Sequence, residues 1–384
     1  MRRPGQHSAL SYQMRILIAP DKFKGSLTAR EVAENIEKGL RDVLTNARID
    51  IGPMADGGEG TADVICDALH GSWIDCRAHD PFGREIKARY AWIDNRRLAV
   101  MEMSEAAGMR RLFHADERDP LRANTFGVGE MLLDAASHGA DEIVIGLGGS
   151  VTNDGGFGMV RALGFRFFTN YEKEQELKGA VSELVNLARI EKPRNLSLPK
   201  IVAAADVRNP LLGENGATQV FGPQKGVAPE LLDLLEGALT RLADVVGREF
   251  GFDYRDEPGA GAAGGLGFGL MSFCGAKIQA GFEVVADAVG LESKMKDVDV
   301  VVTGEGSLDR QTLEGKTPAG VARLARKLGK RVYAIVGRAS NDREVTKNFD
   351  RVYELTQPGM SEKENMARAA EFLREKAREL AKRL

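Results

Sequence analysis

The stretch Ile143-Val-Ile-Gly-Leu-Gly-Gly-Ser-Val-Thr-Asn-Asp-Gly-Gly-Phe-Gly158 decides the fold. It begins as a short apolar run, which is typical of a buried strand, and continues as glycines separated by polar residues. Because glycine has no Cβ, backbone N–H groups can turn toward a ligand and the ligand can approach closely. Loops of this kind at strand ends bind phosphate. The stretch therefore predicts a strand, a phosphate-binding loop and a helix near Phe157–Leu163.

The same order of strand, loop and helix recurs along the chain. Met14–Ala19 predicts a buried strand, and it is followed by a loop and by a capping box from Thr28 to Glu31. Apolar residues at helical spacing continue the helix, at Val32, Ile36, Leu40 and Leu44. Further strands are predicted at Asp141–Leu147, Lys200–Ala205, Asp297–Thr303 and Arg331–Val336, with a helix from about Pro318. Repeated strand–helix units predict an α/β fold with mostly parallel sheets.

One region breaks this pattern and suggests a second domain. Lys87–Ile93 and Arg97–Met103 predict two adjacent strands joined as an antiparallel hairpin. The composition changes near Asp80–Gly83. We therefore predict a discontinuous domain over 14–80 plus 290–384, and an inserted α/β domain over 81–289.

The two ends of the chain give separate expectations. Residues 1–13 are polar and irregular, which predicts a disordered extension or a true start at Met14. Ser361–Leu384 predicts a charged amphipathic helix on the surface.

The composition excludes several classes of protein. The chain has 384 residues, of which 43% are hydrophobic and 28% charged, and a net charge of −3. This describes an ordinary globular protein and argues against a general nucleic-acid binder. No apolar run reaches the roughly 18 residues of a membrane span. Three cysteines without a CxxC pair fit a reducing compartment, so we expect a cytoplasmic protein with no membrane partner.

Two nucleotide-binding motifs are near misses. Gly315-Lys-Thr317 resembles the end of a P-loop, but the position that requires glycine holds Arg310. Gly259–Gly264 satisfies GxGxxG, but the residues before it do not read as a strand, which argues against a dinucleotide site. This second loop remains a candidate for phosphate binding.

Acidic residues recur where the predicted strands end. They are Asp21, Asp56 with Glu59, Asp154, Asp206, and Glu305 with Asp309. A single Asp in such a loop is usually a cap or a turn residue. Five such positions beside glycine, asparagine or lysine favour a site, because ligands of open α/β sheets bind at the carboxyl ends of strands. Carboxylates there can bind Mg²⁺ beside substrate phosphates, or accept a proton from a substrate hydroxyl.

Lysines and amides stand in the same loops, whereas the histidines are scattered. The lysines are Lys22, Lys24, Lys225 and Lys316, and the amides are Asn153, Asn209 and Gln224. Each lysine taken alone is an ordinary surface charge, but as a set they can neutralise a transferring phosphate or hold a carboxylate. No histidine makes a metal-ligand spacing.

Taken in order, these loops resemble the bacterial glycerate kinases of the type-1 family. The segments that carry the resemblance are Pro20–Ser26, Pro53–Thr61, Gly146–Gly156, Asp206–Pro210 with Phe221–Gly226, Pro258–Gly265, Thr303–Asp309 and Gly315–Pro318. The match runs from Met14 to about residue 375. Lys22 stands where a serine is common in the family, and Val151 replaces a small residue.

The resemblance implies ATP-dependent phosphorylation of D-glycerate, with Mg²⁺ as cofactor. It also implies two α/β domains, one flavodoxin-like and one inserted, with the active site in the cleft between them. The alternatives that stay open are phosphorylation of the 3-hydroxyl instead of the favoured 2-hydroxyl, another small hydroxy-acid kinase, or a nucleotide-binding regulator. The chain is expected to be a monomer or a homodimer.

Roles for individual residues follow from the resemblance and from the chemistry above. The catalytic candidates are Asp206, Asp154, Lys24 and Lys225, and the metal candidates are Asp206 and Glu305. The candidates for binding substrate or phosphate are Asp21, Lys22, Asp56, Gly57, Gly58, Gly148, Gly149, Ser150, Asn153, Gly261, Gly264 and Lys316.

Overall fold

The computed structural model describes residues 13–169, 174–310, 312, 315–340 and 342–384. The predicted extension over 1–13 lies outside these residues apart from Gln13. The chain divides into two compact units, of which the first comprises 1–53, 290–313 and 317–384 and the second 54–289 and 314–316. Within the described residues, no helix has both the length and the apolar character needed to cross a membrane.

Strands and helices alternate along most of the chain. The strands are β1 (Arg15–Ile18), β2 (Arg48–Ile51), β3 (Ser72–His79), β4 (Glu85–Ile93), β5 (Leu98–Glu102), β6 (Glu142–Gly146), β7 (Arg166–Thr169), β8 (Leu187–Glu191), β9 (Lys200–Ala204), β10 (Lys277–Gln279), β11 (Val300–Thr303), β12 (Ser307–Leu308), β13 (Arg331–Val336), β14 (Arg338–Ala339) and β15 (Arg351–Glu354). The α-helices are α1 (Ala29–Arg41), α2 (Thr61–Ala68), α3 (Ser104–Ala107), α4 (Phe126–Ser137), α5 (Phe157–Ala162), α6 (Ala217–Phe221), α7 (Leu232–Phe250), α8 (Ala262–Cys274), α9 (Gly281–Val289), α10 (Leu291–Lys296), α11 (Thr317–Lys327), α12 (Arg343–Thr346), α13 (Glu362–Ala367) and α14 (Ala369–Ala381).

The first unit contains a parallel sheet with the strand order β2-β1-β11-β13-β15. Counted along this unit alone, that is the 2-1-3-4-5 order of flavodoxin-like folds. Val32 and Ile36 of α1 are fully buried, together with Ile16 and Ile18 of β1. The predicted flavodoxin-like fold is therefore confirmed for this part of the chain.

The N-terminus of α1 shows how local sequence fixes this unit. Thr28 Oγ1 accepts a hydrogen bond of 3.2 Å from Glu31 N, and the Glu31 carboxylate accepts one of 2.8 Å from Thr28 N. These bonds complete the predicted capping box, which satisfies N–H groups that have no partner within the helix.

The C-terminal segment differs from the single surface helix expected over Ser361–Leu384. It forms α13 and α14, and α14 buries Phe372 and Leu373 in the same core as α1. A Cβ at Gly39 of α1 would lie only 2.3 Å from the carbonyl oxygen of Arg374, so the two helices touch through their backbones. The charged outer face of α14 explains why its charge pattern alone suggested a solvated helix.

The second unit contains a mixed sheet with the order β10-β9-β6-β5-β4-β3. Strands β10, β9, β6 and β5 run parallel, whereas β4 pairs antiparallel with β5 and with β3. The predicted hairpin is confirmed, because Ile93 lies opposite Leu98 across its turn. The α/β class with mostly parallel sheets is likewise confirmed.

The second unit begins earlier in the sequence than the expected boundary near Asp80–Gly83. The unit starts at Met54, and β3 is part of its sheet because it pairs with β4 along its whole length, from Ser72 opposite Trp92 to His79 opposite Glu85. No periodicity in the sequence signalled this third antiparallel strand. The division into a flavodoxin-like domain and an inserted domain stays a prediction.

Candidate functional site

Glycine loops in the second unit meet backbone to backbone at the carboxyl ends of the parallel strands. A Cβ at Gly146 would lie 2.5 Å from the carbonyl oxygen of Gly57, and one at Gly148 would lie 2.6 Å from Cα of Gly58. A Cβ at Gly281 would lie 2.6 Å from Cα of Gly57. The loops that follow β6 and precede α2 and α9 therefore lie together, and only glycine allows this approach.

Two of the predicted carboxylates, Asp56 and Asp206, stand at this edge of the second unit. Asp56 Oδ1 accepts a hydrogen bond of 3.1 Å from Gly58 N, which closes the turn of that loop. Asp206 follows β9 and is half-buried. The end of β9 contacts the same loop, since a Cβ at Gly57 would lie 3.2 Å from the carbonyl carbon of Ala204. Asp56 therefore belongs to a glycine loop, and Asp206 directly follows a strand whose end contacts that loop.

Asp154 is fully buried, and hydrogen bonds surround its carboxylate. Oδ2 accepts from Thr125 N at 2.9 Å, Thr125 Oγ1 at 2.8 Å and Gly158 N at 3.0 Å, and Oδ1 accepts from Gly156 N at 3.1 Å. Burial raises the pKa of Asp154, and these four bonds oppose the rise. The arrangement ties the start of α4 to the start of α5.

Lys225 is also buried and lies beneath the same loop. Its side chain is 2% exposed, and Nζ donates a hydrogen bond of 2.7 Å to the carbonyl oxygen of Thr152. Burial lowers the pKa of Lys225 to about 7, and the negative charge of Asp154 opposes that shift. The ammonium therefore holds the backbone of the Gly146–Gly156 loop.

The polar groups next to this contact are only partly satisfied within the protein. Asn153 Nδ2 donates a hydrogen bond of 3.0 Å to Thr218 Oγ1. Among the residues that the structure describes, no group hydrogen-bonds to the buried atoms Asn153 Oδ1 and Thr152 Oγ1. Ser150, which precedes Thr152 in the same loop, is buried and pairs with Gly108 in an isolated antiparallel bridge.

The GxGxxG stretch is an irregular entry into α8, where Ala263, Gly264 and Gly265 have positive φ angles of 53°, 69° and 87°. A Cβ at Gly264 would lie 2.0 Å from the carbonyl oxygen of Thr152. A Cβ at Gly261 would lie 2.2 Å from the carbonyl oxygen of Pro210. Gly264 therefore lets α8 pack directly on the Gly146–Gly156 loop, and Gly261 lets the same stretch approach Pro210 in the loop after β9.

The first unit has its own pair of acid-bearing loops, after β1 and β11. Asp21 is buried, Lys22 N donates a hydrogen bond of 2.6 Å to its Oδ1, and Thr317 Oγ1 donates one of 2.7 Å to its Oδ2. The ammonium of Lys22 lies 3.9 Å from Oδ1. The start of α11 thus anchors the carboxylate that follows β1.

Glu305 holds the second loop of the first unit. It is buried, and Thr312 Oγ1 donates a hydrogen bond of 2.6 Å to its Oε1. This loop lies beside the first one, because a Cβ at Gly306 would lie 3.5 Å from Lys24 N. The side chain of Lys24 is exposed. Lys316 is half-buried and belongs to the short segment 314–316 that groups with the second unit.

Sequence reasoning missed an ion pair beside the glycine loops of the second unit. Glu102 ends β5, is 5% exposed and pairs with Arg110. Burial raises the pKa of Glu102, and Arg110 opposes the rise. The available signal was an acid at the end of the apolar strand Leu98–Glu102, the same pattern that marked the other acids.

Taken together, these observations define an α/β protein whose glycine, carboxylate and lysine loops suit a phosphorylated ligand. A profile described as the glycerate kinase family matches residues 16–384. The glycerate kinase of Halalkalibacterium halodurans is 41% identical over 95% of this chain and 97% of that protein. The glycerate 2-kinase of Escherichia coli is 42% identical over 86% of each chain.

A solved structure agrees with these relatives. The crystal structure of a Salmonella typhimurium protein provisionally named glycerate kinase 2 superposes with a TM-score of 0.84 at 39% identity, over 96% of this chain and 98% of that one. The chain belongs to the glycerate kinase family. It is an enzyme, and its class is that of the kinases.

Proposed function

We propose that this enzyme transfers the γ-phosphoryl group of ATP to D-glycerate, which gives phosphoglycerate and ADP. The observation that carries the proposal is the family match over residues 16–384, since this range contains every loop described above. Phosphoryl transfer is catalysed mostly by positioning and by charge stabilisation, so a site made of glycine loops, carboxylates and lysines suits it.

We assign the proton acceptor to Asp206. A general base needs a carboxylate oxygen within hydrogen-bond reach of the substrate hydroxyl. Asp154 is fully buried, and its oxygens already accept four hydrogen bonds, so its role is to position the loop. Asp206 is half-buried at the carboxyl end of β9.

Lys24 and Lys225 are assigned different roles because one is exposed and the other is buried. The exposed Lys24 can place its ammonium on a phosphate or carboxylate oxygen. Lys225 is buried and already donates to Thr152, so it positions the glycine loop from beneath.

The donor set of this chain fits a magnesium ion that arrives with the nucleotide. Among the described residues, no group of three or more His, Cys, Asp or Glu side chains is placed to hold a metal ion. Mg²⁺ is commonly bound by one or two carboxylates, with phosphates and waters completing the shell. With Asp206 assigned to the proton, Glu305 offers a carboxylate of the required kind. The ion would neutralise charge on the phosphates.

We further propose the 2-hydroxyl of D-glycerate as the acceptor. The relative that supports this choice is the glycerate 2-kinase of Escherichia coli, at 42% identity. The 3-hydroxyl is the alternative acceptor.

The test is release of ADP in the presence of Mg²⁺ and a panel of acceptors. D-Glycerate should be the best substrate, and glycerol, which lacks the carboxylate, should be inactive. D-Lactate keeps only the 2-hydroxyl and 3-hydroxypropionate only the 3-hydroxyl. Residual turnover with D-lactate alone therefore supports the 2-position, and turnover with 3-hydroxypropionate alone refutes it.

Two variants test the assigned roles in the same assay. Asp206→Asn should lower kcat by roughly 100-fold or more, because an amide cannot accept the proton. Lys24→Met should also lower kcat/KM, whereas Lys38→Met, an exposed lysine on α1, should leave it unchanged. Wild-type turnover in Asp206→Asn refutes the assignment of the base.

A further inference from the structure

Glu102 connects β5 to the loop that precedes α2. Its Oε1 accepts hydrogen bonds of 2.7 Å from Gly60 N and 3.2 Å from Ala62 N. Gly60 ends the acidic loop that contains Asp56, Gly57 and Gly58. The carboxylate therefore fixes the end of this loop from inside the protein.

Arg110 holds the other oxygen of the same carboxylate. Its Nη2 donates to Glu102 Oε2 and to Ser104 Oγ, and its Nη1 donates a hydrogen bond of 2.7 Å to Glu105 Oε1. The side chain of Arg110 is 31% exposed, compared with 6% for that of Glu102. The guanidinium is thus oriented by two carboxylates and a hydroxyl.

The backbone around Arg110 is joined to the glycine loop after β6. Met109 N donates a hydrogen bond of 2.9 Å to the carbonyl oxygen of Gly149, and Val151 N donates one of 3.1 Å to that of Ala107. A Cβ at Gly149 would lie 3.5 Å from Cβ of Ser104. The segment that carries Arg110 is therefore hydrogen-bonded to the Gly148–Val151 loop.

We propose that the Glu102–Arg110 ion pair is a positioning device that fixes the Asp56–Gly60 loop relative to the Gly148–Val151 loop. Glu102 holds the Asp56–Gly60 loop through two backbone N–H groups. Arg110 belongs to the segment whose backbone is hydrogen-bonded to the Gly148–Val151 loop. The bonds are charge-assisted and largely buried, so they resist displacement. Because these two loops matter for activity only if they hold the phosphates of ATP, the inference rests on the proposed function.

The experiment compares Arg110→Met with a matched control, Arg255→Met, in the full-length enzyme. Arg255 is also a partly buried arginine of the second unit, with a side-chain exposure of 24%, and it pairs with Asp244 and Asp253. Each variant is assayed for kcat, for KM with ATP and with D-glycerate, and for thermal unfolding.

We expect Arg110→Met to lower kcat/KM by roughly 10- to 100-fold, because a displacement of the loops by about 1 Å has effects of this size. Arg255→Met should change the melting temperature little and leave both KM values within about twofold of the wild type, since the carboxylates of Asp244 and Asp253 are exposed and such ion pairs contribute little. Arg110→Lys keeps the charge and should recover part of the loss. If Arg110→Met does not fold, the comparison is made with Arg110→Lys.

Two outcomes separate this inference from the proposed function. If the wild type releases ADP from ATP and D-glycerate but the Arg110 and Arg255 variants have the same kinetics, the positioning role is refuted. If the wild type releases no ADP, the proposed function is refuted.

Discussion

Lys225 Nζ lies 2.7 Å from the carbonyl oxygen of Thr152 and donates a hydrogen bond to it within the protein interior. A buried ammonium is costly unless it is compensated, and here the compensation is one carbonyl together with the negative charge of Asp154. The Gly146–Gly156 loop is therefore held by an ammonium group whose charged form is disfavoured by burial. This contact gives the first prediction.

The stability of the folded protein should rise with pH as Lys225 loses its proton. Its folded-state pKa is lowered to about 7 from its usual 10.5, so between these values the unfolded chain binds more protons than the folded one. The free energy of unfolding therefore increases with pH across that window. Lys225→Met should remove this part of the increase, as measured by urea unfolding from pH 6.5 to 9.5. Lys200→Met, an exposed lysine of the same unit, should keep the wild-type slope, and an unchanged slope in Lys225→Met would contradict the prediction.

Thr125 should contribute to stability through its hydroxyl. Oγ1 donates to Asp154 Oδ2 at 2.8 Å and accepts a hydrogen bond of 2.9 Å from Met159 N. Thr125→Val leaves both partners without that bond in a buried site, at a cost of about 2 kcal/mol in the free energy of unfolding. Thr125→Ser keeps the hydroxyl, so its free energy of unfolding should fall clearly less than that of Thr125→Val. Equal urea midpoints for the Val and Ser variants would show that the hydroxyl is not important.

Gly148 should not tolerate a methyl group. The added Cβ would lie 2.6 Å from Cα of Gly58, which is a backbone atom and cannot rotate away. We expect Gly148→Ala to lower the free energy of unfolding by about 1–3 kcal/mol and to abolish activity, because the loops that contain Gly148 and Gly58 must separate. Gly237→Ala on α7 is the control, since a Cβ there meets no atom within 4 Å. Gly237→Ala should raise the free energy of unfolding by about 0.5–1 kcal/mol, because alanine is more stable than glycine within a helix. Full activity of Gly148→Ala would contradict the packing described here.

Much of the fold was predictable because local patterns determine it. The apolar runs gave the strands at Arg15–Ile18 and Glu142–Gly146, and the capping box gave the start of α1. Strand β3 was not predicted, because an edge strand that pairs only with β4 carries a mixed pattern of buried and exposed residues. The burial of α14 depends on its contact with Gly39, which is distant in sequence.

The functional site was only partly predictable, for a related reason. Glycines such as Gly148 and Gly264 were assigned to ligand binding, and the structure shows that their lack of a Cβ first serves contact with Gly58 and with Thr152. Sequence cannot separate these uses, since both require a residue without a side chain. Asp154 was selected for its charge, but its hydrogen-bond partner Thr125 lies 29 residues away in the sequence. Only the three-dimensional arrangement shows that its oxygens are occupied.

The measurement that tests the central claim most directly is a coupled assay with D-glycerate, ATP and Mg²⁺, in which the product is offered to enolase without phosphoglycerate mutase. The proposed phosphoryl transfer to the 2-hydroxyl predicts ADP release with immediate turnover by enolase. ADP release that feeds enolase only after the mutase is added would place the phosphoryl group on the 3-hydroxyl. No ADP release above the rate without D-glycerate would contradict the claim that this enzyme phosphorylates glycerate.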